Sequence, residues 1–125
     1  MSVLTAFNNH FIEFLEDVSS IFPDDKDIKR TKTSLELLKK ANPRIIIQVW
    51  KQQIANVYRE KIELGDISFF LNKDYSADID GIGESSKIMS SIERLRGPVS
   101  NMGVENQEKT MRYIQNLTKL SDLYL

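Results

Sequence analysis

At 125 residues, with 41% hydrophobic and 28% charged residues, the chain has the size and composition of one globular domain that can bury a single core. It has no cysteine and a single histidine, which excludes disulfide frameworks, thiol nucleophiles and the paired ligands of ordinary zinc sites. The net charge of −1 hides an uneven distribution, because residues 1–25 hold five acids and no base, whereas residues 26–51 hold eight bases against two acids.

The amino terminus lacks the basic flank and continuous apolar run of a signal peptide, and no apolar stretch nears the roughly 20 residues that span a bilayer. The expectation is a cytosolic chain without a membrane partner. Leu4, Phe7, Phe11, Phe14, Val18 and Ile21 recur every three or four residues and predict a first helix, with Glu13, Glu16 and Asp17 on its other face. Phe22-Pro23-Asp24-Asp25 ends it, since proline lacks the donor that a continuing helix needs.

Asp24 or Asp25 can cap a second helix whose buried stripe is Ile28, Thr31, Leu35 and Leu38. Lys26, Lys29, Arg30, Lys32, Lys39 and Lys40 surround that stripe, with Arg44 just beyond it. Such a cluster can serve nucleic-acid phosphates. The plainer reading is a solvated face set beside the acidic first helix, because no aromatics are interleaved for base stacking.

Asn42-Pro43 reads as a cap followed by proline at the first helical position. The third helix therefore starts there and runs to Gly65, with Ile46, Trp50, Ile54 and Val57 on one face, Ile47 and Tyr58 beside them, and Ile62 and Leu64 extending it. Its wide apolar arc suits a central position, with Trp50 as packing. Gly65-Asp66 stops this helix and caps a short one containing Ile67, Phe69, Phe70 and Leu71. That apolar patch is a core plug or, if exposed, a partner site.

Residues 72–84 are polar and acidic and read as the one substantial loop. A calcium loop fails on spacing: with Gly81 at the sixth position, the twelfth is Lys87, where a bidentate glutamate is required. Phosphate binding by Gly81, Gly83 and the following helix start lacks Walker spacing and a preceding strand. A fourth helix is predicted from Ser85 to Arg96, burying Ile88, Ile92 and Leu95 and stopping at Gly97-Pro98. The fifth runs from Val104 through Met111, Ile114, Leu117 and Leu120 or Ser121 towards Tyr124. The sum is an all-α fold, residues 1–125 forming one bundle of five main helices and one short one.

Chemistry is hard to place in this pattern. No Gly-x-Ser-x-Gly elbow occurs, His10 reads as a structural histidine, and Glu60 with Glu63 or Asp78 with Asp80 read as solvated acids. The expectation is a protein that is not an enzyme and has no cofactor, no metal and no small-molecule substrate.

Several segments resemble a family of small uncharacterised proteins of large DNA viruses that infect algae and protists. They are Phe11, Phe14-Leu15, Ile21-Phe22-Pro23 with Asp27-Ile28, Ala41-Asn42-Pro43, Gly65 to Leu71, Asp74-Tyr75, and Glu105 to Lys109 running into Tyr113 to Leu120. The resemblance implies a viral origin and a host cytoplasm or virion setting, and it carries no catalytic residue across. The functional expectation is a non-enzymatic structural or protein-interaction module, a minor virion or assembly component that binds a protein partner or itself. Its candidate contacts are Asp66, Phe69, Phe70, Asp74 and Tyr75. The alternative is nucleic-acid binding through Lys26, Lys29, Arg30, Lys32, Lys39, Lys40 and Arg44.

Overall fold

Ser2 opens the first helix by accepting the Thr5 amide on its hydroxyl at 3.1 Å, and α1 (Val3–Ile21) follows in a computed structural model that describes residues 2–72 and 84–124. Asp25 caps α2 (Lys26–Ala41), its carboxylate accepting from the Asp27 and Ile28 amides. Asn42 then serves both neighbours. Its amide closes α2 on the Leu38 carbonyl, while its side chain accepts from Arg44. Pro43 and Arg44 form a turn, so the next helix begins at Ile45, two residues after the expected start.

From Ile45 to Glu63 the helical rod has three parts: α3 (Ile45–Val49), a π-helical segment (Trp50–Ala55) and α4 (Asn56–Glu63). Ile46, Trp50, Ile54, Tyr58 and Ile62 are all buried and are spaced by four. In a regular α-helix each such step overshoots one turn by about 40°, so the row would wind through about 160° and leave the core. The π segment accommodates one extra residue, as in the bond from the Asn56 amide to the Lys51 carbonyl, five residues back. It holds the row on one side. This corrects the expected place of Val57, which regular periodicity puts on the buried face but which is 59% exposed, while Tyr58 takes its position. Leu64, also expected on that face, is 82% exposed because the helix has already ended.

Gly65 ends α4 with φ +72°, a left-handed conformation in which its amide bonds to Ile62 and the next amide, that of Asp66, reaches back to Lys61. Asp66 caps the short α5 (Ser68–Asn72) by accepting from the Ser68 amide at 3.0 Å and from its hydroxyl. The expected loop lies outside the described residues except at its ends, where α5 stops at Asn72 and α6 (Glu84–Ser100) starts. Gly81 and Gly83, weighed for calcium and phosphate, and the acids Asp78 and Asp80 lie outside them too.

Gly97-Pro98 does not stop α6, contrary to expectation. Pro98 sits in the last turn, and continuing to Ser100 carries Val99 fully into the core, with Met102 following. Burying a valine stabilises by about 1.5–3 kcal/mol, comparable to what proline takes from a helix. The chain closes with α7 (Val104–Leu123).

The rod from Ile45 to Glu63 with α1, α2, α6 and α7 makes the five main helices, and α5 is the short one; the described residues include no strand. Helix α1 packs most extensively on α7, and the π segment also lies against α7. Phe7 and Phe11 both meet the Trp50 ring edge-on at 6.2 Å, and Phe14 continues the aromatic row to Tyr113 at 5.5 Å. Leu117 and Ile114 complete the surrounding core from α7. Among the described residues, no helix is long and apolar enough to cross a membrane.

Candidate functional site

The Schellman turn at Gly65 does more than end a helix, because it sets Gly65 and Ile67 against the first half of α7. Gln115 fastens the junction by donating its side-chain amide to the Ile62 carbonyl at 2.9 Å. Between the turn and α7 runs a groove of about 370 Å³, with Gly65 and Ile67 on one wall and Val104, Gln107, Glu108, Met111, Arg112 and Gln115 on the other. Its apolar residues are Ile67, Val104 and Met111. The remaining side chains can donate or accept at a polar margin.

Two features distinguish this groove from ordinary surface. Val104 is 72% exposed on one wall, and Leu64, next in the chain to Gly65 on the other, is 82% exposed. Gln107 lines it while donating to the Val99 carbonyl at 3.2 Å, so the wall is anchored to the end of α6 as well. Neighbouring Asp66 is exposed, and its carboxyl is held below the usual carboxylate range by the Ser68 hydroxyl and amide that it accepts.

The expected contact residues divide. Asp66 is at the surface, but its carboxylate is committed to capping α5. Phe70 is 5% exposed and belongs to the core, which corrects its assignment as a contact: a ring already packed inside the bundle cannot also meet a partner. The Phe69 side chain and both Asp74 and Tyr75 lie outside the described residues. The exposed large apolar side chains at and beside the groove are Val104 and Leu64. A signal for the second wall was present in sequence, since Val104, Glu108, Met111 and Gln115 recur with helical spacing beside the core stripe of α7.

The basic residues also divide. Lys26, Lys29, Arg30, Lys40 and Arg44 are exposed, whereas Lys32 and Lys39 are half-buried, with Lys32 3.5 Å from Glu36. Acidic α1 does not neutralise this face. Its Asp17 pairs with Lys109 of α7 at 2.7 Å, and Glu13 lies 3.4 Å from His10.

The remaining groups with chemical potential are structural in their surroundings. His10 leans on Tyr113 at a ring separation of 4.9 Å, beside a shallow crevice between α1 and α7. Burial, then the Asp17 charge, raises the Tyr113 phenol above its ordinary value, so it stays protonated. Arg59 and Asp122 form a two-pronged pair at 2.7 and 2.9 Å that joins α4 to α7. Among the described residues no three metal-ligating side chains converge. Comparisons of the chain with protein-family models, with curated proteins and with solved structures gave no match.

Proposed function

We propose that this chain is a non-enzymatic interaction module that receives apolar side chains of a protein partner, or of a second copy of itself, in the groove between the Gly65 turn and α7. One observation carries the reading: Val104, large, apolar and 72% exposed, stands on the wall of a groove that already contains Ile67 and Met111, and exposed Leu64 is next in the chain to Gly65 of the other wall. An apolar centre with a polar margin is the arrangement in which protein contacts concentrate their binding energy. Helices fixed by core packing supply the rigid walls. In the viral setting that the resemblance implies, such a module serves as a minor virion or assembly component in host cytoplasm or particle.

The test places a photo-activated cross-linking side chain at position 64 or 104, with position 57 as a control, because Val57 is exposed and apolar but neither lines the groove nor is next in the chain to a residue that does. Size-exclusion chromatography with light scattering gives the mass in parallel. The expected result is cross-linking at 64 and 104 and none at 57, either to a copy of the chain or to one defined protein from infected cells. A strictly monomeric chain with no adduct at either groove position would remove the proposal.

A further inference from the structure

The outward side of α2 is a second surface, unrelated to the groove. On a regular helix Lys26, Lys29, Arg30 and Lys40 fall within an arc of about 100° that lies opposite Ile28 and Leu35. The structure exposes all four, and exposed Arg44 follows in the turn beyond. From Lys26 to Lys40 the row extends for about 21 Å at the helical rise. Arg30 meets Asp27 only at 3.8 Å between side chains that are themselves largely in water. Among the described residues no ion pair reaches Lys26, Lys29, Lys40 or Arg44. Folding has therefore left an uncompensated positive row on a chain whose isoelectric point is about 5.8.

We infer that this face binds the phosphate backbone of nucleic acid without reading its sequence. A line of point charges complements a linear polymer of phosphates, and the binding free energy comes from released counterions. The face carries no aromatic side chain on which a base could stack, so the contact is confined to the backbone. Leu37, at 60% exposure, is its single large apolar residue. One leucine gives little area for insertion into a lipid interface, where affinity grows with the apolar surface buried. The positive row thus favours nucleic acid over an anionic membrane.

The experiment is fluorescence anisotropy of the full chain with labelled duplexes of about 20 base pairs in two unrelated sequences, across a salt series. Four or five neutralised phosphates predict a slope of log affinity against log salt of about −4, equal for both sequences. The triple reversal Lys26→Glu, Lys29→Glu, Lys40→Glu is expected to weaken binding at least tenfold. The control reversal Lys61→Glu, Arg94→Glu, Lys119→Glu, at exposed cations elsewhere, changes it less than about twofold. Circular dichroism melts establish that both variants fold. Absence of binding at low salt, equal losses in the two reversals, or a preference of more than about tenfold between the sequences would overturn the inference. So would binding to phosphatidylserine vesicles, lost in the α2 reversal, by a chain that ignores the duplexes.

Discussion

Trp50 donates its indole Nε1–H to the Thr118 hydroxyl at 3.1 Å, deep in the core and across 68 positions of sequence. The bond lets the largest side chain of the rod lie buried against Phe7 and Phe11 without an orphaned donor. Thr118→Val keeps the shape and removes the acceptor, so it should cost about 1–3 kcal/mol. In a Trp50→Phe background the same change should cost less than about 1 kcal/mol, because no donor is left unpaired. Urea unfolding followed by circular dichroism measures both, since tryptophan fluorescence is lost in the second background.

The π segment makes a prediction that runs against intuition. If its extra residue only keeps the four-spaced row aligned, then deleting Gln52, which is exposed, converts the rod to regular α-helix with Tyr58 and Ile62 still facing inward. The deletion should preserve cooperative melting and change stability by no more than about 1 kcal/mol. Inserting an alanine after Gln52 should instead turn the downstream residues by about 100° and cost upwards of about 3 kcal/mol, as Ile54, Ala55, Tyr58 and Ile62 are all carried from their buried places. A deletion that unfolds the chain would show that the wide turn has a structural role of its own.

Gly65→Ala tests the turn that builds the groove. An added Cβ would meet the Gln115 side chain at 3.6 Å, an ordinary contact, so the cost is conformational. At φ +72° that cost is about 1–2 kcal/mol. Gly65→Asn should cost less, because asparagine tolerates the left-handed region better. Thermal melts of the two variants should rank in that order.

The Arg59–Asp122 pair predicts a pH dependence. The Arg59 hydrogen bonds hold the Asp122 carboxyl below its ordinary range, so the unfolded chain binds a proton there at a pH where the folded one does not. The stabilisation is present above the unfolded pKa and disappears as pH falls through the folded one. Melting temperature should therefore decline from about pH 5 downward, and Asp122→Asn should remove that part of the slope. The effect is modest, since both side chains are more than a third exposed.

Part of the candidate site was legible in the chain. Gly65-Asp66 announced a stop and a cap, and both occur, so one wall of the groove followed from local chemistry. Helical spacing marked the opposite wall too, but not that the two meet, because Val104 lies 39 positions from Gly65 and nothing local says that they face each other. Phe70 illustrates the same limit: a dense apolar patch has the same sequence whether it faces water or the core.

What the sequence by itself determined was the set of helices and most of their ends, because caps, glycine turns and the 3.6-residue period act over a few residues. Two departures came where burial outweighed local preference, at Pro98 for the sake of Val99 and in the π turn for the sake of Tyr58 and Ile62. Only the tertiary structure decided which charges meet. Asp17 meets Lys109 of α7, not a base of α2, and the α2 row, opposite buried Ile28 and Leu35, stays open to water. Helix packing fixed it, since α1 packs on α7 and so brings Asp17 at its edge beside Lys109.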